Sequence, residues 1–276
     1  MLGVADIINN TLLAVDVDGT LLTDGKEVLD KDRTAIRELR ESGGLFTIAT
    51  GRAVSYTRPL VVDLGIDIPV VINNGAIVYD YVNERSLWQK LLPPNARELM
   101  LRIKERFPSL GVDILRGEDV FSISSNRHTE EHFRNIRLTP TRCSLDEVPE
   151  DDWSKILLVD EPEVIDEIVR YAEGLDKDGI RLVCSCPVFY EMLPDGVNKG
   201  TGIAKLLETA GLSGRYVVAA GDYLNDIEMI QMAELGVAVG NAADEVKKHA
   251  DIIVCDNNSG AVYEIVQRLK GQSLFL

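Results

Sequence analysis

Two short segments of the sequence place carboxylates directly after apolar runs. In LLAVDVDGT the apolar run is followed by Asp16 and Asp18, and in VVAAGDYLND it is followed by Asp222 and Asp226. Short apolar runs that stop at glycine or acidic residues are typical of buried strands. In open parallel sheets, ligands bind outside the carboxyl ends of the strands. The four carboxylates are therefore candidates for a single site.

Two further segments bring a hydroxyl group and basic groups to the same predicted edge. Thr50 and Arg52 follow the apolar run LFTIA, and Lys199 opens a predicted helix in NKG. Each pattern has an ordinary alternative, because such glycine-containing pairs are common where strands end in turns. Carboxylates packed closely together cannot all stay ionised without a counter-ion. Mg²⁺ held by one or two carboxylates and a substrate phosphate is the usual solution.

The surrounding pattern predicts the elements that position these residues. Predicted strands near 11–15, 45–49, 70–72 and 216–220 alternate with helices, the first of which covers about 31–42. Strands that alternate with helices are typical of βαβ units and of a parallel sheet with both faces covered. We therefore predict an α/β fold.

The middle of the chain has a different pattern. Strand candidates come in consecutive pairs joined by short turns, within 110–125 and 180–193, and the polar run HTEEHFRNIRL between them is ambiguous. Such pairs predict a mixed or antiparallel sheet with helices on one side. We predict a discontinuous core domain of residues 1–81 and 195–276, with an inserted α+β domain of residues 82–194.

Composition and charge narrow the class of protein. The 276 residues are 45% hydrophobic and 27% charged, which favours a globular chain of two domains. The net charge of −16 argues against binding to nucleic acid or anionic membranes. Membrane-spanning runs, a secretory signal and a zinc pattern among the four cysteines are not found. We expect a cytoplasmic protein, as a monomer or a homodimer.

The ordered motifs resemble those of the haloacid dehalogenase superfamily. DVDGT, the Thr of ATGR, the Lys of NKG and GDYLND match its four motifs in order. NNGA, GVNKG, GDYLNDIEMI and NAADEVKKHAD are similar to segments of its Cof-type phosphatase branch. The resemblance implies a Rossmann-like core with a large α/β cap (type IIB) between the second and third motifs.

The resemblance also implies roles for the acidic residues. Asp16 is expected to be the nucleophile that forms an aspartyl-phosphate, and Asp18 the general acid and base. The backbone carbonyl of Asp18 is expected to bind the metal. Asp222 is expected to be a direct Mg²⁺ ligand. Asp226 is expected either to bind Mg²⁺ through water or to hold Lys199.

A second group of residues is expected to contact the substrate. Its members are Thr50, Gly51, Arg52, Asn74, Lys199 and Asn225. Thr50 and Lys199 are expected to bind the transferring phosphoryl group, where negative charge must be stabilised. Asn225 is expected at the phosphate or beside the metal. For Arg52, a surface or interdomain salt bridge is an equal alternative.

The leading functional prediction is Mg²⁺-dependent hydrolysis of small phosphomonoesters, such as sugar phosphates or related metabolites. Two alternatives stay open. One is a phosphosugar mutase, which would yield an isomeric phosphosugar instead of free phosphate. The other is a catalytically silent phosphate-ligand binding protein, which a ligand would stabilise without turnover.

Overall fold

The computed structural model describes residues 4–136 and 138–271, with the backbone alone for 4–6. The chain divides into two compact units. The core unit comprises the residues up to Thr50, Pro59–Trp88, and those from Asn198 onward. The inserted unit comprises Gly51–Arg58 and Gln89–Val197. Residues 1–3 and 272–276 of the predicted core domain lie outside the described residues, and the predicted domain boundaries stay predictions.

The first part of the chain forms the beginning of the core unit, except for Gly51–Arg58, which belongs to the inserted unit. Its elements are α1 (Val4–Asn10), β1 (Thr11–Val15), α2 (Asp30–Glu41), β2 (Leu45–Ile48), α3 (Val54–Leu64), β3 (Val70–Ile72), β4 (Ile77–Asp80) and β5 (Arg85–Gln89). Every residue of β1 is buried, as its apolar run predicts. In α2 the buried positions Ala35, Ile36 and Leu39 recur at helical spacing.

The middle of the chain forms most of the inserted unit. Its elements are α4 (Ala96–Arg106), β6 (Gly111–Arg116), β7 (Asp119–Ser124), α5 (Arg127–Ile136), β8 (Thr141–Arg142), β9 (Trp153–Val159), α6 (Pro162–Glu173), β10 (Ile180–Cys186) and β11 (Phe189–Pro194). The strands form one sheet in the order β10-β11-β9-β6-β7-β8, antiparallel except for the β7–β8 pair. Alternate strand residues such as Ile114 and Ile156 share an apolar cluster with Met100 of α4 and Ile168 of α6.

The ambiguous polar segment of the inserted unit is the helix α5. Asn126 precedes it, and the side-chain oxygen of Asn126 accepts hydrogen bonds from the backbone N–H groups of His128 and Thr129. This is the arrangement of an N-cap. The buried positions of α5 are Thr129 and Phe133. The segment was ambiguous because it contains few apolar residues.

The last part of the chain completes the core unit. Its elements are α7 (Lys199–Thr209), β12 (Tyr216–Gly221), α8 (Ile227–Met232), β13 (Leu235–Ala238), α9 (Asp244–Lys247), β14 (Ile252–Ile253) and α10 (Ala261–Gly271). The central sheet has the order β14-β13-β12-β1-β2, and all its strands are parallel. A parallel bridge between Ala49 and Val71 leads to the antiparallel sheet β3-β4-β5.

The predicted α/β class can be compared with this architecture. The α/β class with a parallel central sheet is confirmed. The central strands β1 and β12 pair in register from Thr11 with Tyr216 to Val15 with Ala220. Their carboxyl ends therefore lie side by side. Among the described helices, none is both long and apolar enough to cross a membrane.

Candidate active site

The two acidic segments meet where β1 and β12 end. The backbone N–H of Asp16 donates a 2.9 Å hydrogen bond to the carbonyl of Ala220. Asp16 is buried, with 5% of its surface exposed. Because Ala220 is followed by Gly221 and Asp222, the parallel register itself brings the two acidic segments together. The predicted convergence of Asp16 and Asp222 follows from this pairing.

Lys199 lies between two of the carboxylates. Its Nζ atom is 2.5 Å from Oδ1 of Asp16 and 2.5 Å from Oδ1 of Asp226, and all three side chains are buried. Burial lowers the pKa of Lys199, but Asp16 and Asp226 raise it further, to well above its ordinary value. The two carboxylates therefore favour the charged ammonium form of the Lys199 side chain. The second oxygen of Asp226 accepts hydrogen bonds from the backbone N–H groups of Asp222 and Tyr223.

Asp222 is fixed by the loop that follows Asp16. The hydroxyl of Thr20 donates a 2.9 Å hydrogen bond to Oδ1 of Asp222. Gly19 has a φ of +88°, and a Cβ atom there would lie 2.4 Å from Oδ2 of Asp222. Only glycine permits both this conformation and this approach. Thr20, the last residue of DVDGT, therefore links the loop after Asp16 to the acidic segment that follows β12.

The carboxylate oxygens of Asp16, Asp222 and Asp226 fit a hard divalent cation. One oxygen from each residue lies within 4.8 Å of the others, and these three form the one such cluster among the residues that the structure describes. Burial and the nearby carboxylate of Asp226 raise the pKa of Asp222 to about 6, against the lowering effects of Thr20, Lys199 and Asp16. Burial and the repulsion of Asp226 and Asp222 also raise the pKa of Asp16, against the lowering effect of Lys199. Oxygen ligands with excess negative charge are those that Mg²⁺ prefers.

Asp18 lies outside that cluster. Its side chain is 45% exposed, and Oδ1 accepts a 3.1 Å hydrogen bond from Nζ of Lys26. An exposed carboxyl group can exchange protons with water and with a ligand, which a general acid and base requires. The predicted metal contact of Asp18 is through its backbone carbonyl, and it stays a prediction.

Thr50, Asn74 and Asn225 are joined by hydrogen bonds within the core unit. The backbone N–H of Asn74 donates to the carbonyl of Thr50 at 3.0 Å. The amide Nδ2 of Asn225 donates to Oδ1 of Asn74, also at 3.0 Å. Thr50 and Asn74 are buried. The structure thus brings together three residues that the sequence predicts to contact the substrate.

Gly51 and Arg52 belong to the inserted unit. The carbonyl of Gly51 accepts a 2.7 Å hydrogen bond from Nζ of Lys155. The guanidinium of Arg52 lies over the ring of Tyr56, 4.2 Å from its centroid, in a cation–π contact. Their predicted contacts with a substrate stay predictions.

Sequence reasoning missed a set of buried charges in the inserted unit. Nζ of Lys155 lies 3.1 Å from Oε2 of Glu191, and both side chains are nearly inaccessible. Asp113 is 1% exposed, and among the described residues neither of its carboxylate oxygens has a hydrogen-bond partner. The signal was present in the sequence: each residue interrupts an otherwise apolar strand, in GVDILR, WSKILLV and FYEMLP.

Comparison with known proteins bears on the family of the chain. A family model described as haloacid dehalogenase-like hydrolase matches residues 13–266. A solved structure of a haloacid dehalogenase-like hydrolase from Bacteroides thetaiotaomicron superposes with a TM-score of 0.81 at 25% identity. The match covers 94% of this chain and 99% of that one.

Two curated relatives are phosphatases and match along nearly their whole length. 5-amino-6-(5-phospho-D-ribitylamino)uracil phosphatase YcsE of Bacillus subtilis is 30% identical over 261 residues, which is 93% of this chain and 94% of that protein. Pyridoxal phosphate phosphatase YbhA of Escherichia coli is 28% identical over 266 residues, which is 92% of this chain and 97% of that protein.

Proposed function

Because the chain belongs to the haloacid dehalogenase-like hydrolase family, we propose that its phosphatase activity is the Mg²⁺-dependent hydrolysis of small phosphomonoesters through an aspartyl-phosphate. One observation carries the proposal. The ammonium of Lys199 binds the buried Asp16 and Asp226, and the half-buried Asp222 completes a cluster of carboxylate oxygen ligands. Such a site combines a nucleophilic carboxylate with positive charge for the phosphoryl oxygens.

Asp16 is the proposed nucleophile. Its carboxylate attacks phosphorus, a P–O bond forms to Asp16, and the P–O bond to the leaving alcohol breaks. Lys199 and Thr50 bind the phosphoryl oxygens, where negative charge is greatest in the transition state. The hydrogen bond from Lys199 holds the Asp16 side chain in one orientation. This arrangement lowers the entropic cost of reaching the reactive geometry.

Asp18 is the proposed general acid and base. Its protonated carboxyl group gives its proton to the departing alkoxide, and the resulting carboxylate then takes a proton from water. The oxygen of that water attacks phosphorus, the P–O bond to Asp16 breaks, and inorganic phosphate leaves. The exposure of the Asp18 side chain supports this role because both transfers involve groups that come from solvent.

Asp16 and Asp222 would hold the Mg²⁺ ion, together with the backbone carbonyl of Asp18, and Asp226 would bind it through water. When bound, a divalent cation neutralises negative charge on the phosphoryl group and its ligands. Three carboxylates and one ammonium leave an excess of two negative charges, which supports a divalent ion.

The proposed substrates are sugar phosphates and related phosphorylated metabolites. The two curated relatives are named for 5-amino-6-(5-phospho-D-ribitylamino)uracil and for pyridoxal phosphate. Both compounds belong in the first substrate panel, beside hexose and pentose phosphates. A cytoplasmic location and a monomeric or homodimeric state also stay predictions.

Release of inorganic phosphate from this panel tests the proposal. We expect turnover with Mg²⁺, its loss with a chelator, and its return when Mg²⁺ is added back. Asp16→Asn should abolish turnover while the protein stays folded. Asp63→Asn removes an exposed carboxylate of the core unit and should retain full activity. Undiminished turnover in Asp16→Asn would refute the nucleophile, and an isomeric phosphosugar product would identify a mutase.

A further inference from the structure

The turn Asn73-Asn74-Gly75, which follows β3, has an unusual backbone. The φ angles of its three residues are +49°, +54° and +99°, all in the left-handed region. Non-glycine residues rarely adopt this conformation, although asparagine tolerates it better than most. Each such residue costs of order 1–3 kcal/mol unless its surroundings hold it in place. All three residues are buried, so the contacts of the turn must account for its conformation.

The turn contacts three segments that carry proposed site residues. The backbone N–H of Asn74 binds the carbonyl of Thr50, and Oδ1 of Asn74 binds the amide of Asn225. Gly75 packs against the residue before Lys199, because a Cβ atom on Gly75 would lie 2.0 Å from the carbonyl oxygen of Asn198. All of these residues belong to the core unit. One turn therefore sets the spacing among the segments of Thr50, Lys199 and Asn225.

The bond between the two asparagines fixes the orientation of one amide group. A side-chain amide has two N–H donors and one acceptor oxygen. Asn225 donates one N–H to Oδ1 of Asn74. Because both N–H groups lie in the amide plane, this bond also fixes the direction of the second N–H. A phosphoryl oxygen accepts hydrogen bonds, so the second N–H suits it as a donor. Donation to Asn74 also keeps the Asn225 amide from rotating.

We propose that Asn74 is a positioning residue that orients the amide of Asn225 toward the phosphoryl group. This inference rests on the proposed phosphatase function and changes the predicted role of Asn74, from substrate contact to support of Asn225. The left-handed backbone serves that role, because it turns the Asn74 side chain toward Asn225 while its N–H binds Thr50.

A double-mutant cycle on phosphate binding tests the inference. Asn74→Gly keeps a residue suited to positive φ and removes only the side chain. We measure the Kd of inorganic phosphate in the presence of Mg²⁺ for the wild type, Asn74→Gly, Asn225→Ala and the double variant. Loss of one hydrogen bond predicts an increase of about tenfold for Asn74→Gly. The double variant should bind no more weakly than Asn225→Ala, because both changes disable the same donor.

Controls separate this effect from damage to the turn. Asn73→Gly makes the same change one residue earlier and leaves the Asn74–Asn225 bond in place. It should keep the wild-type phosphate Kd within about twofold, a change well below that of a lost hydrogen bond. An equal increase in the phosphate Kd of Asn73→Gly would overturn the inference. So would a double variant whose increase in Kd is the product of the increases in the two single variants. If the two substitutions are non-additive in phosphate binding but the protein hydrolyses no phosphomonoester, the proposed function is refuted and the role of Asn74 stands. A wild type that binds no phosphate would refute both the proposed function and the role of Asn74.

Discussion

The Nζ atom of Lys199 lies 2.5 Å from Oδ1 of Asp16, although 183 positions of sequence separate the two residues. The same ammonium lies 2.5 Å from Asp226. One cation thus serves a cluster of three carboxylates, two of which are buried, because the half-buried Asp222 lies beside both acids. In the proposed mechanism, that single positive charge both balances the carboxylates and binds the transferring phosphoryl group.

Lys199→Met should therefore lower both activity and stability. Removal of one partner from a buried ion pair typically costs about 3–5 kcal/mol, since an uncompensated charge remains. Loss of a group that stabilises transition-state charge typically lowers kcat by about 10²–10³. Urea unfolding and phosphate-release kinetics measure the two effects. Lys205→Met, on the exposed face of the same helix, should change kcat and the free energy of unfolding little. Wild-type kcat in Lys199→Met would contradict the assigned role.

The raised pKa values at this site predict a pH dependence of stability. In metal-free protein the pKa of Asp222 is raised from 3.8 to about 6, chiefly by burial. The folded protein therefore keeps a proton that the unfolded chain releases, so this residue makes stability fall as the pH rises from about 4 to 6. Asp222→Asn should reduce the dependence of the unfolding free energy on pH in this range, as measured by urea unfolding with a chelator present.

Mg²⁺ should reverse this trend, because it binds the ionised carboxylates and competes with protons. We expect the increase in Tm on addition of Mg²⁺ to be larger at pH 7 than at pH 5. The increase should be much smaller in Asp222→Asn. An increase that is independent of pH, or equal in the variant, would argue against a metal at these carboxylates.

The sequence indicated the convergence of Asp16 and Asp222 more directly than the buried ion pair of the inserted unit, for a physical reason. Asp16, Thr50 and Asp222 follow apolar strands, and parallel strands end at a common edge, so a local pattern implies a three-dimensional meeting point. No comparable rule predicts the contact between Lys155 and Glu191. They meet because β9 and β11 are antiparallel neighbours, with Leu157 opposite Glu191. That register depends on the whole sheet, which a single sequence does not reveal.

Asp113 provides a second pH-dependent prediction, in the inserted unit. Burial raises its pKa to about 7, against the smaller lowering effect of the Arg142 charge. The folded form keeps its proton up to about pH 7, so its contribution to stability falls between about pH 4 and 7. Asp113→Asn mimics the neutral acid and should stabilise the inserted unit at pH 8, by on the order of a few kcal/mol.

Denaturant unfolding at pH 5 and pH 8 checks this expectation. The two proteins should differ little at pH 5 and clearly at pH 8. Asp119→Asn, an exposed change on the neighbouring strand β7, should show no such difference. A variant less stable than the wild type at pH 8 would show that the ionised Asp113 carboxylate is stabilised in the fold.

Lys155 and Glu191 allow stability and activity to be separated. The Lys155 ammonium binds both Glu191 and the carbonyl of Gly51, the residue that follows Thr50. Lys155→Met leaves the Glu191 carboxylate buried without its cation, although the hydroxyl of Ser185 still donates to it. The expected cost in unfolding free energy is about 3–5 kcal/mol. Arg127→Met, in an exposed ion pair of the same unit, should cost about 0–1 kcal/mol.

The double variant Lys155→Met/Glu191→Leu should regain most of that stability, because two apolar side chains of similar size replace the charged pair. It cannot regain the hydrogen bond to Gly51, which anchors the backbone next to the proposed phosphoryl-binding residue Thr50. We therefore expect a double variant with near wild-type urea stability but a raised KM for phosphomonoesters. If the double variant regains both wild-type stability and wild-type KM, Lys155 acts only within its ion pair. If it regains neither, the two positions do not tolerate a pair of apolar side chains.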